Sequence, residues 1–103
     1  MIFVIATVEL AEGKRASFLE ELNRFIPLVK AEKGCIAYGP AEDVPSGIPI
    51  QDPIIENHIT TMEQWSDLDA LQAHLKAPHM QSYREATKGL VKKPVGIRVL
   101  RSL

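Results

Sequence analysis

Several kinds of chemistry are missing from this sequence. It has one cysteine, Cys35, so no disulfide can close within the chain, and a lone thiol with apolar neighbours is more often a small core residue than a nucleophile. No cysteine pair at metal-binding spacing and no His-Glu-x-x-His run occurs. His74 and His79 are five positions apart with Pro78 between them, a spacing that points them in different directions, so no metal site is expected. There is no glycine-rich phosphate loop, and hence no seat for a nucleotide; the sequence calls for no cofactor. An excess of one charge is lacking too: 12 Lys and Arg stand against 13 Asp and Glu. Without a basic stripe to neutralise phosphates, nucleic acid is disfavoured as a partner. Long apolar runs are also absent. The N-terminal MIFVIATVEL is apolar but too short to span a bilayer and has no basic flank, so it predicts a buried strand and no membrane association. Together with the single thiol, this points to the reducing cytoplasm.

What is present is ordinary globular material, 46% hydrophobic and 24% charged, enough for a single domain over residues 1–103. Residues 2–9 are β-branched and apolar, as in a central strand. After the turn at Gly13-Lys14, Phe18, Leu22, Phe25 and Val29 recur on one helical stripe, predicting a helix to about Lys33 that is kinked or shortened at Pro27 and capped by Gly34. A short strand is expected over residues 35–38. A Pro- and Gly-rich loop over 39–53 follows, of the kind that rims or covers binding sites. Residues 54–65 read as a long third strand with Asn57, Thr61, Glu63 and Trp65 on one face. Ser66 suits the N-cap of a helix carrying Leu68, Leu71 and Leu75, and Pro78 suits the first turn of another carrying Met80, Tyr83, Ala86 and Leu90. Residues 95–100 close the chain as a strand.

This order predicts an α+β fold, a ferredoxin-like antiparallel four-stranded sheet with helices on one face. The other sheet face is left bare. A second copy of the same sheet would cover it, giving a homodimer in the form of a dimeric α/β barrel.

Two segments carry a family likeness. Ala31-Glu32-Lys33-Gly34-Cys35-Ile36-Ala37-Tyr38, and the long run from Glu63-Gln64-Trp65-Ser66 through His74-Leu75 to Pro78-His79-Met80, resemble the antibiotic biosynthesis monooxygenase family. The resemblance implies dimeric ferredoxin-like α/β barrels, some of them cofactor-independent monooxygenases of quinols and related phenolic rings. Two stretches depart from the family pattern: the loop at 39–53 is longer and richer in proline, and Glu56-Asn57-His58 lacks the usual apolar character.

On that footing His74, at the border of the buried stripe, is the candidate general base; otherwise it is a helix histidine bonded to a neighbouring strand. Trp65 is the candidate apolar wall for a flat ring, with Thr61 and Asn57 as polar contacts beside it. Tyr38 and Tyr83 could donate hydrogen bonds to a substrate oxygen, although core packing suits both. Glu63 has a structural role, buried against a backbone amide or Arg98. His58 and His79 are rim or surface residues. The expected partners are a second copy, a small aromatic molecule and O2. Competing expectations on the same scaffold are a non-oxidative isomerase and a ligand-binding stress protein. A haem-degrading relative is disfavoured because Ala6-Thr7 stands where that chemistry needs Asn.

Overall fold

The computed structural model describes residues 1–103 as β1 (Ile2–Leu10), α1 (Arg15–Lys30), β2 (Cys35–Ala41), β3 (His58–Trp65), α2 (Leu68–Lys76), α3 (Pro78–Thr87) and β4 (Val91–Arg101). The sheet order is β2-β3-β1-β4 with every pairing antiparallel, the ferredoxin-like α+β arrangement. β1 lies inside the sheet, as its run of Ile, Phe and Val requires. Its register with β3, from Ile2 opposite Trp65 to Glu9 opposite His58, sorts the side chains. Ile2, Val4, Ile59, Glu63, Trp65 and, from β2, Tyr38 face the helices, while Phe3, Ile5, Met62 and Gln64 face away.

The helix-covered side holds the core. The four stripe residues of α1, Phe18, Leu22, Phe25 and Val29, are all buried there with Val4, Leu10, Tyr38, Trp65 and Leu71. Burying each such side chain contributes roughly 1.5–3 kcal/mol. On the opposite side Met62 is 54% exposed. No helix is long and apolar enough to cross a membrane.

Several boundaries differ from the sequence expectation, each for a local reason. α1 contains Pro27 and ends at Lys30, not Lys33, so Gly34 is not its cap. Gly34 instead immediately precedes β2 at φ +84°, where a Cβ would come within 2.5 Å of the Ala70 side chain and 2.7 Å of the Ser66 hydroxyl. Glycine is needed both for the backbone and for the close approach to α2. β2 continues through Gly39 and Pro40 to Ala41, because it is an edge strand and the proline interrupts no inner ladder. β4 likewise begins at Val91 and takes Pro94 in at a register shift on the other edge. Asp67, not Ser66, caps α2, its carboxylate accepting the Ala70 N–H at 2.8 Å. In α3 the inward position near the C-terminus is Thr87, and Ala86 faces out.

β3 starts at His58, not at residue 54. Asn57 precedes it in the left-handed region, φ 54°. Asn57 exchanges two hydrogen bonds with Leu10: its Nδ2 donates to the Leu10 carbonyl at 2.8 Å and accepts back, through its own carbonyl, the Leu10 N–H at 2.9 Å. The long loop is tied down by Asp43 accepting the Ile55 N–H at 2.8 Å and by an Arg15–Glu42 ion pair.

Candidate active site

The chemistry-bearing side chains meet under the helix-covered face, near the end of β3. Trp65 and Glu63 come from β3, Tyr38 from β2, Phe25 from α1, His74 from α2, and Tyr83 and His79 from α3. Glu32 comes from the turn after α1. Leu71 and His74, three apart, share the inner face of α2. The chain then breaks at Ala77, extended at ψ 143°, and α3 restarts at Pro78 in a new direction. That break returns His79 toward His74 instead of separating them. Glu32, His74 and His79 bring donor atoms within 4.8 Å of one another, contrary to the divergence expected from their spacing.

One oxygen of Glu32 joins the three. Its Oε2 lies 2.8 Å from His74 Nδ1 and 2.9 Å from His79 Nε2. An ionised carboxylate only accepts, so both bonds to an ionised Glu32 require the hydrogen at Nδ1 of His74 and at Nε2 of His79. Two imidazoles and a carboxylate are also a donor set used by divalent cations; the separations found here are hydrogen-bond lengths. His74 is 1% exposed, and its Nε2 has no hydrogen-bond partner. The ring lies against Trp65, centroids 4.7 Å apart, with Tyr38 at 5.8 Å and Phe25 at 6.1 Å.

Glu63 is buried beside this ring. It accepts from Trp65 Nε1 at 3.0 Å and from the Thr61 hydroxyl at 3.1 Å. Burial raises its carboxyl above the ordinary value of 4.5, and the Trp65 and Thr61 bonds and the nearby His74 pull the other way. Arg98 is not its partner. It sits opposite Ile5, whereas Glu63 sits opposite Val4, so the two project to different faces. Burial also raises the Tyr38 and Tyr83 hydroxyls well above the ordinary tyrosine range, so both remain protonated donors at neutral pH. Desolvation raises the Cys35 thiol, with Glu32 and Glu63 nearby adding to the effect, which leaves it a poor nucleophile.

The structure thus brings His74, Trp65, Thr61 (through Glu63), Tyr38 and Tyr83 into one neighbourhood. It does not bring Asn57 there: Asn57 precedes β3 and Trp65 is that strand's last residue, about 26 Å away at the usual rise per residue. His58 lies near Glu9 at the same far end. A groove of about 300 Å³ runs between α1 and α3, lined by Phe25, Leu28, His79, Ser82 and Tyr83 among others. Phe25 stacks on Tyr83 at 4.1 Å with the rings 6° from parallel, and it touches both His74 and His79. Its ring lines the groove, and its centroid lies 6.1 Å from that of His74. Glu32, His79 and Phe25 were not singled out by sequence as site residues. The available signal was the position of Glu32 and His79 in the two segments that carry the family likeness.

Comparison with known proteins follows the same lines. The family model described as antibiotic biosynthesis monooxygenase matches residues 1–86. The chain is 36% identical over 103 residues to the Escherichia coli K12 protein named "Probable quinol monooxygenase YgiN", covering 98% of this chain and 97% of that one. Among solved structures, Rv0793 from Mycobacterium tuberculosis superposes with a TM-score of 0.80 at 25% identity, covering 99% of this chain and 94% of that one. A conserved protein from Methanosarcina mazei Go1 superposes with a TM-score of 0.83 at 22% identity, covering 99% and 92%, and at that identity supports the fold alone.

Proposed function

Because the chain belongs to the antibiotic biosynthesis monooxygenase family, we propose that it is a cofactor-independent monooxygenase that oxidises a small aromatic quinol or phenol with O2, using His74 as base. The observation that carries this reading is the unpartnered Nε2 of His74, buried against Trp65. A buried nitrogen without a partner costs about 1–3 kcal/mol. A substrate hydroxyl donating to it relieves that cost and is placed for proton transfer.

The reaction asks little of the protein. The hydroxyl proton passes to Nε2 and the electron pair stays on the substrate oxygen. The electron-rich oxyanion reduces O2. One oxygen atom is added to the ring and the other leaves as water, so that a quinol and O2 become a hydroxyquinone and water. Trp65 supplies the flat wall, and the Tyr38 and Tyr83 hydroxyls are the donors available to a substrate oxygen. The route in is the α1–α3 groove, at the small end of the volumes that ligand pockets occupy, with Phe25 turning aside to admit the ring. In this reading a second copy covers the bare sheet face, where Phe3, Ile5, Met62 and Leu100 line an open apolar cleft of about 310 Å³. The reducing cytoplasm suits a chain whose one thiol is free.

The test is oxygen uptake with a chemically reduced quinone in metal-free buffer. His74→Ala is expected to lower kcat/KM by about 10²- to 10⁴-fold, the usual contribution of a general base. An unchanged rate sinks the assignment of His74.

A further inference from the structure

We infer that Glu32 is the positioning residue of this site, fixing the His74 tautomer and balancing the charge that His74 acquires, and that His79 holds Glu32 in place from the groove. The inference rests on the reading of His74 as the base.

Glu32 is built for this. Its backbone is pinned on both sides: its N–H donates to the Val29 carbonyl at 2.9 Å, and its carbonyl accepts the Cys35 N–H at 3.1 Å. Its side chain is 13% exposed and meets an imidazole that is 1% exposed. With the Nδ1 hydrogen committed to Glu32, the neutral ring must present its lone pair at Nε2, the one atom there with nothing to accept from. When the substrate O–H breaks and an Nε2–H bond forms, a cation appears among Trp65, Tyr38 and Phe25, where water cannot screen it. The groups able to oppose or favour that charge are few. They are the Glu32 carboxylate at 2.8 Å, the carboxyl of Glu63 from β3, His79 from α3 and the un-ionised Tyr38 from β2. Only Glu32 bonds the ring directly. His79 donates to the same oxygen at 2.9 Å, which keeps the carboxylate from rotating away, and its own side chain is 26% exposed in the groove.

Two measurements separate this role from simple packing. In Glu32→Gln the side chain keeps its shape and an acceptor oxygen but loses the charge. The expected result is a fall in kcat of about 10- to 100-fold with little change in KM, the size of loss found when the carboxylate behind a metal-bound histidine is removed. The acidic limb of its pH–rate profile moves to lower pH, because the protonated imidazole has lost its counter-charge. The second measurement needs no activity: side-chain ¹H–¹⁵N spectra of His74 should show the Nδ1–H form in the wild type and a mixture of tautomers in Glu32→Leu, with circular dichroism confirming that the variant is folded. An Nε2–H tautomer in the wild type overturns the inference, as does an unshifted acidic limb in Glu32→Gln. So does a loss of activity in a chelator that a divalent ion restores, which makes the cluster a cation site. If the tautomer is as expected but His74→Ala turns over normally, the base assignment fails and the Glu32–His74 geometry stands without it.

Discussion

Successive residues of β3 show what the two faces of this sheet have in common and where they part. Glu63 and Trp65 turn under the helices and are 7% and 0% exposed; Met62, between Thr61 and Glu63, turns the other way and is 54% exposed. On the covered face every polar group of the strand is committed: Trp65 and Thr61 both donate to Glu63. On the uncovered face polar and apolar residues mix, with the Thr7–Thr60 hydroxyl pair at 2.9 Å beside Ile5 and Met62. The covered face can therefore perturb acid–base groups, because water is absent and each bond counts. The uncovered face carries its ionisable groups, Glu9, His58 and Arg98, at more exposed positions and can serve recognition.

The difference is sharpest if the two faces are cut in the same way. Trp65→Ala is expected to cost about 3–5 kcal/mol and to orphan one Glu63 oxygen, whereas Met62→Ala in the isolated chain should stay within about 0.5 kcal/mol. Urea unfolding midpoints give both numbers, and equal losses would erase the distinction between the faces. The next effect concerns association. Met62→Lys places an unpaired charge on the surface proposed to meet a second copy and should weaken self-association by 10²-fold or more while leaving the circular dichroism spectrum intact. Sedimentation equilibrium reads this directly, and a wild-type chain that is monomeric at micromolar concentration removes the dimer.

A further effect, smaller than those of Trp65→Ala and Met62→Lys, belongs to Glu63. A carboxyl raised by burial stabilises the fold while protonated, below its ordinary value of 4.5, and that contribution is lost as pH rises through the folded value. Glu63→Gln keeps the two hydrogen bonds, the amide NH2 donating to Thr61 in place of the present arrangement. Its melting temperature should equal the wild type at about pH 4 and exceed it at neutral pH, by on the order of 1 kcal/mol in stability. A variant that is less stable at every pH shows that the ionised carboxylate is worth more than its desolvation costs.

Much of the fold was legible because it rests on local periodicity. Phe18, Leu22, Phe25 and Val29 lie on one helical stripe, and all four are buried. The errors cluster at prolines. Pro40 fell in the expected loop and Pro94 just outside the expected last strand, but both lie in edge strands, where a missing N–H faces no neighbour, and edge position is set by topology that no local window contains. The candidate site was legible in its members His74 and Trp65 but not in its wiring. Glu32 meets His74 across 42 positions and His79 across 47, and the helix break at Pro78 that looked like a separator is the hinge that joins them. Asn57 went astray for the opposite reason: alternation was extended past the point where its left-handed backbone ends the strand.

The two edge prolines also bear on how large an assembly can grow. A further chain approaching side-on, to lengthen the sheet, would meet at Pro40 or Pro94 a backbone nitrogen with no hydrogen to give, and along β4 the ammonium groups of Lys92 and Lys93 as well. Growth into a ribbon is thus discouraged at both margins, while the broad side stays open. The pairing proposed for that side would leave no margin to extend, so concentrating the protein should yield a finite particle and not a fibre.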